Sequence, residues 1–449
     1  MAGLAQFRHP DLSLFQSAVD EVLALKASAA RPAGAAGQAA IARPDPGHSV
    51  VQQATAEATV VDNARKAGVA PPGPPPAPTQ AATSDLGDQI RYCASLARNY
   101  AVAKVEGRID DANRYQALLS ARMGDCDPGW AEASLKYEEF LLSKGTIPYR
   151  VYKSMGDFVI DGKLPDNARV AFVGDWGTGL DTAKNVLAQI ARKKPDVVIH
   201  MGDVYYSGTD FEMQNYFYNI WKASFDLSKI PTYTLCGNHD MFCGGVPYYK
   251  LIDQLGQPAS YFCLRNDNWQ FVAMDTGLHD SKPEGGDPTY LEDTEVAWVA
   301  DKLQNRGNRR TVLLSHHQLF AAYEDICGKS VNDHLNQQLS ALLPGVDMWL
   351  WGHEHNLVIY QTCMGVLARC IGHGAFPVGL QEIPATPKFA DVPTVSVRLG
   401  NDGTFYNHGY VIMDLAGSSA RLAYYQDNDE TTPQFTEAVG AATATASQV

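Results

Sequence analysis

Five short apolar runs in this 449-residue chain each end on side chains able to bind a metal ion. The run 169–174 leads to Asp175. The run 196–201 leads to Gly202-Asp203, with Tyr206 three residues further on. The run 231–236 leads to Gly237-Asn238-His239-Asp240, 310–315 to His316-His317, and 346–351 to Gly352-His353-Glu354-His355. A single Gly-Asp after a strand is commonly a turn, and a lone histidine is commonly a hydrogen-bonded core residue. The same placement five times points instead to convergence on one centre. The donors Asp175, Asp203, Tyr206, Asn238, His316, His353 and His355 are oxygen and nitrogen only, a set that suits Fe, Mn or Zn better than a thiophilic ion.

Rigid strand ends must position such donors. The apolar runs alternate with helical stretches such as 182–193, a pattern that predicts a β-sandwich flanked by helices. In open α/β sheets, sites gather beyond the carboxyl ends of the strands. Upstream, residues 1–83 read as a low-complexity Ala/Pro-rich segment with one short amphipathic helix near 11–27. Positions 28–83 hold nine of the chain's 25 prolines and no aromatic residue, too little apolar surface to offset ordering entropy. Residues 84–160 read as a small helical module, 161–430 as the catalytic domain, and 431–449 as a flexible tail. The aromatic stretch 213–221 has the spacing of a core-facing helix.

The motifs Gly174-Asp175-Trp176-Gly177, Gly202-Asp203-Val204-Tyr205-Tyr206, Gly237-Asn238-His239-Asp240, Leu313-Leu314-Ser315-His316 and Gly352-His353-Glu354-His355 together resemble the ordered set of calcineurin-like metallophosphoesterases. Within them the resemblance is closest to purple acid phosphatases of the tartrate-resistant type, and it spans about residues 168–425. It implies a four-layer α/β/β/α sandwich, here preceded by the helical module and a disordered N-terminal segment. It also implies two divalent or trivalent ions, iron with iron, zinc or manganese. Asp175, Tyr206 and His355 would hold the first and Asn238, His316 and His353 the second, with Asp203 bridging both. Most of the superfamily carries a histidine two residues after the first Asp; Gly177 stands there, and Tyr206 offers a phenol instead. A free phenol ionises near pH ~10, so only a strongly Lewis-acidic ion would hold it as phenolate. His239 and Asp203 would be the catalytic residues, with His317 and His373 supporting the ligands from behind. The implied activity is hydrolysis of phosphate monoesters by metal-activated hydroxide. The alternatives are a phosphodiesterase on the same centre, acting on cyclic nucleotides or phospholipid head groups, and a non-catalytic interaction module with the same fold.

Charge and composition narrow the partners. With 36 Lys plus Arg against 50 Asp plus Glu, the net charge is −14. That disfavours nucleic acid, which needs a basic face, and no apolar run reaches the ~20 residues of a membrane-spanning helix. A small phosphorylated substrate is expected, without membrane insertion, and the N-terminal segment could dock a protein partner. The eight cysteines form no C-x-x-C pair and read as reduced thiols. No secretory signal is legible at the N-terminus, so a cytoplasmic location is expected, with non-classical secretion as a further route.

Overall fold

The computed structural model describes residues 146–205, 207–280, 288–403 and 405–440. The expected N-terminal segment and the helices expected within 84–145 lie outside them, as do residues 441–449. The strands in chain order are β1 (Val159–Asp161), β2 (Arg169–Val173), β3 (Val197–His200), β4 (Thr232–Thr234), β5 (Phe262–Arg265), β6 (Trp269–Ala273) and β7 (Arg310–Ser315). They continue with β8 (Met348–Trp351), β9 (Leu357–Ile359), β10 (Ala368–Ile371), β11 (Gly409–Ala416), β12 (Ser419–Gln426) and β13 (Phe435–Val439). One sheet has the order β13-β12-β11-β2-β3-β4 and the other β1-β5-β6-β7-β8-β10-β9. At one end of the first, β2, β3 and β4 run parallel; in the second, β6, β7, β8 and β10 do.

Strand alternation builds the layers. Successive residues of a strand face opposite sides of its sheet. Val170 and Phe172 of β2 therefore join Val312 and Leu314 of β7 and Met348 and Leu350 of β8 in the core between the sheets. Ala171 and Val173 face the other way, onto Ala183, Val186, Leu187 and Ile190 of helix α1 (Asp181–Arg192). Leu313, Trp349 and Trp351 face out from the second sheet onto Trp298, Val299 and Leu303 of a helix at Asp293–Gln304. The three cores separate helix, sheet, sheet and helix, the expected four layers. The aromatic stretch is helical as its spacing predicts, wound as a π turn at Met213–Tyr218 and continuing as α-helix at Asn219–Ser224, with Met213, Tyr216, Phe217 and Trp221 buried.

The fold reaches past both expected limits of the catalytic domain, 161 and 430. On the N-terminal side, β1 adds to β5 in parallel from Val159 onward. The residues before it lie across the outer face rather than in a helix. Tyr149 stacks on Tyr261 at 5.7 Å and donates to the buried Glu295 carboxylate at 2.9 Å, while the Trp298 indole donates to the Asp157 carbonyl at 3.0 Å. At the other end, β13 pairs with β12, so residues expected in the flexible tail form a sheet edge.

That edge is tied to the opposite sheet. Arg369 of β10 and Glu437 of β13 meet with side chains 3% and 8% exposed. The Arg369 Nε donates to Glu437 Oε1 at 2.8 Å and its Nη1 to the Tyr360 carbonyl at 2.7 Å; the Tyr424 hydroxyl donates to Glu437 as well. Removing one partner of a buried pair strands the other charge. Glu437→Gln is therefore expected to cost about 3–5 kcal/mol, read as a lowered denaturant midpoint at unchanged m-value. Arg369→Met with Glu437→Leu should recover most of the loss. A cost of less than about 1 kcal/mol for Glu437→Gln would place the pair with exposed ones.

Candidate metal centre

The five parallel strands β2, β3, β4, β7 and β8 deliver the candidate ligands just past their carboxyl ends, and three of those ligands sit in strained backbone. Asp175, Asp203 and His353 have φ of +55°, +76° and +64°. A non-glycine residue in this region costs of order 1 kcal/mol, and its surroundings must hold it there. Close approach of the chains explains the neighbouring glycines. A Cβ on Gly237 would lie 2.1 Å from Asp203 Oδ1, and one on Gly352 would lie 2.5 Å from Asp175 Oδ2.

Around these turns the donors converge. Asp175 is fully buried; its Oδ1 accepts from the Tyr205 hydroxyl at 3.0 Å and its Oδ2 from the His353 amide at 2.9 Å. His355 Nε2 lies 3.4 Å from Asp175 Oδ1 and 2.8 Å from the Tyr205 hydroxyl. His316 Nδ1 is bonded to the Met201 carbonyl at 2.9 Å, so that nitrogen carries the proton. Its Nε2 faces Asn238 Oδ1 at 3.2 Å, His353 Nδ1 at 3.3 Å and Asp203 Oδ2 at 3.4 Å. Asp175, Asp203 and His316 present ligand atoms within 4.8 Å of one another.

The chemistry of this donor set fits metal ions. Lone pairs turned toward one another in a buried space repel unless a cation or proton lies among them. Burial alone would lower the His316 imidazole, but the Asp203 carboxylate outweighs it and pushes the group up to about 10. The cluster therefore attracts positive charge.

Other expected residues fall as follows. The His239 amide donates to Asp203 Oδ1 at 3.2 Å, and its ring lies 4.7 Å from both Tyr205 and Phe242. His317 has both ring nitrogens engaged, Nδ1 with Thr276 Oγ1 and Nε2 with Asp280 Oδ2, each at 3.0 Å. Its ring packs 4.3 Å from that of His353, so it braces a candidate ligand. Burial, then His353, lowers it to about 4. His373 is buried with no hydrogen bond to either ring nitrogen, and its Nε2 would lie 2.6 Å from a Cβ on Gly409. His200 packs among Trp176, Phe217 and Trp221 in the outer core. The described cysteines form no disulfide.

The expected phenol ligand is not among the residues placed here. Tyr206 lies outside the described residues. The hydroxyl at Asp175 and His355 belongs to Tyr205, which the family spacing of three residues after Asp203 passes over. Burial first, then Asp175 and Asp203, push this phenol well above its usual range, so its ionisation there requires a strong neighbouring cation.

One residue that motif reading leaves without a role holds two ligand turns together. The buried Asp240 carboxylate accepts from three backbone amides: Gly237 at 2.8 Å, Val204 at 2.9 Å and Asp203 at 3.1 Å. Its place in Gly-Asn-His-Asp was the available signal. An Asn at 240 would turn an NH₂ toward amides that need an acceptor. Asp240→Asn is expected to lower bound metal from two ions toward one or none by elemental analysis, with the far-ultraviolet circular dichroism retained. Full metal content in the variant would remove Asp240 from this role.

Relatives place the domain. Residues 168–357 match the family model described as calcineurin-like phosphoesterase. Tartrate-resistant acid phosphatase type 5 of Homo sapiens is 26% identical over 250 residues, covering 48% of this chain and 75% of the relative. Glycerophosphodiester phosphodiesterase GpdQ of Enterobacter lignolyticus is 25% identical over 198 residues, 43% of this chain and 66% of that protein. Among solved structures, a dimetal phosphatase of Danio rerio aligns with a TM-score of 0.42 at 12% identity, over 62% of this chain and all of that one. Strands β2 to β8 and all seven expected ligand positions fall within residues 168–357, the stretch that carries the match to a calcineurin-like phosphoesterase domain.

Proposed function

We propose that the protein is a binuclear metal-dependent phosphoesterase that hydrolyses phosphate monoesters. The observation that carries this reading is the ring of lone-pair donors around Asp203, drawn from five separate strand ends and turned toward one buried space. Asp175, Tyr205 and His355 would hold one ion, Asn238, His316 and His353 the other, and Asp203, whose two oxygens offer several lone pairs, would serve both. Two such ions, when bound, supply Lewis acidity toward phosphoryl oxygens and acidify a nucleophilic water.

The chain's own residues do the rest. Asp240 fixes the turns that carry Asp203 and Asn238. The bond from His316 Nδ1 to the Met201 carbonyl fixes the ring so that Nε2 is the nitrogen turned to the centre. The His239 ring, set against Tyr205 and Phe242, is the group we assign to protonate the leaving oxygen. The carboxylate of Asp280 holds His317, which in turn braces His353.

The monoester reading is tested with para-nitrophenyl phosphate against bis(para-nitrophenyl) phosphate, using protein loaded with iron, zinc or manganese. The monoester is expected to win by tenfold or more in kcat/KM, about 1.4 kcal/mol at the transition state. The likeness to GpdQ favours a diesterase as the second reading, and a tenfold preference for the bis ester would install it. Protein that neither contains nor accepts a transition metal would leave the non-catalytic module. Asp203→Ala should abolish turnover and release bound metal, because it removes the carboxylate shared by both positions.

The phenol assignment has its own readout. Ferric protein is expected to show a visible phenolate charge-transfer band that disappears in Tyr205→Phe and persists in Tyr206→Phe. The reverse result would return the ligand to Tyr206.

A further inference from the structure

Resting on the phosphoesterase reading, we infer that His408 is a positioning residue for the first metal position: it holds residues 374–376, the segment that keeps Asp175 and His355 in place. Asp427 orients it. Both residues lie beyond the stretch 168–357 that carries the family match.

The grip of the segment on Asp175 is made by main-chain bonds. The Gly374 amide donates to the Gly174 carbonyl at 2.9 Å, and the Ala375 and Phe376 amides both donate to the Asp175 carbonyl at 3.1 Å. Asp175 sits at φ +55°, a conformation that its surroundings must hold. The same segment reaches the other side of the position, where the Phe376 ring stacks on His355 with centroids 4.2 Å apart. A shift of 374–376 would therefore displace two expected ligands of the same ion.

A buried histidine fixes the segment in turn. His408 Nε2 lies 3.2 Å from the Phe376 carbonyl. A carbonyl only accepts, so this nitrogen donates. Asp427 clasps the residue from behind. Its Oδ1 accepts from the His408 amide at 3.1 Å, its Oδ2 lies 3.7 Å from His408 Nδ1, and its own amide donates to the His408 carbonyl at 2.7 Å. The two side chains are 2% and 4% exposed. A carboxylate behind an imidazole that donates in front sets the orientation of the ring.

The pair stands on regular structure. His408 directly precedes β11 and Asp427 directly follows β12, and those strands are paired from Gly409 and Gln426 onward. β11 pairs in turn with β2, which ends two residues before Asp175. The Gln189 side chain of α1 donates to the Asp427 carbonyl at 2.8 Å. Groups carried by strands are held more precisely than groups carried by loops. Through His408 the loop at 374–376 is anchored to the sheet.

The test is zinc binding by the full-length protein, read by chelator competition and elemental analysis. The wild-type protein is expected to hold two ions. His408→Phe keeps the bulk of the ring and removes the donor. It should weaken one ion by about tenfold or more and leave the other unchanged, with an anomalous-scattering map retaining the ion at Asn238, His316 and His353. His408→Gln carries an NH₂ near the place of Nε2 and should restore wild-type binding of both. Asp427→Asn keeps an acceptor for the His408 amide but removes the charge behind the ring, and should weaken the same ion. Unchanged binding in His408→Phe, equal weakening of both ions, or failure of His408→Gln to restore the weakened one overturns the proposal. So does a lowered denaturant midpoint of the apo-protein with both affinities intact, because the pair would then hold only the β11–β12 hairpin. If His408→Phe does not fold, Asp427→Asn decides: selective weakening supports the proposal, and wild-type binding of both ions overturns it. Wild-type protein that holds two ions yet cleaves no phosphate ester would overturn the phosphoesterase reading alone; protein that takes up no metal would overturn both.

Discussion

Two carboxylates, Asp175 and Asp203, are buried at 0% and 1% exposure among imidazole and amide donors, and the rest of the site answers to that fact. Buried charge is tolerated only where hydrogen bonds or counter-charge offset the lost hydration. Backbone amides provide part of the compensation, from His353 to Asp175 and from His239 to Asp203. The remainder comes from positive charge gathered among the imidazoles, a proton on His316 or a bound ion. Left-handed backbone at three of these positions is the conformational cost of bringing the donors together, and the closely packed glycines make the approach sterically possible.

The sandwich is arranged to sustain this strain. Parallel strands from both sheets end at a common rim, so each ligand turn leaves a strand whose two faces are locked into different cores. Asp240 then cross-links two of those turns through backbone amides alone. A third turn is held by main-chain bonds, the Ala375 and Phe376 amides both reaching the Asp175 carbonyl at 3.1 Å. Side chains that hold backbone in place position ligands without competing for the centre.

Sequence pattern was informative where chemistry is written contiguously. The five ligand motifs, the near-continuous apolar runs of β2, β3, β7 and β8, and the helix at Asp181–Arg192 could be read because apolar runs, helical periodicity and glycine-acid pairs are local signals. The contact of the Tyr205 hydroxyl with Asp175 and His355 could not, because loop spacing does not fix which way a phenol points. The strand at Phe435–Val439 was read as tail because Thr436 and Glu437 break its apolar pattern. Glu437 looks like a surface acid until Arg369 of the other sheet is placed beside it.

The fully buried tryptophans carry one more consequence. Trp176 follows Asp175 directly and Trp351 lies two residues before His353, each packed edge-on among aromatic neighbours. Indole emission depends on local polarity and on nearby quenching groups. The protein thus has two built-in fluorophores at the roots of separate ligand turns, optical gauges of how tightly those turns are held.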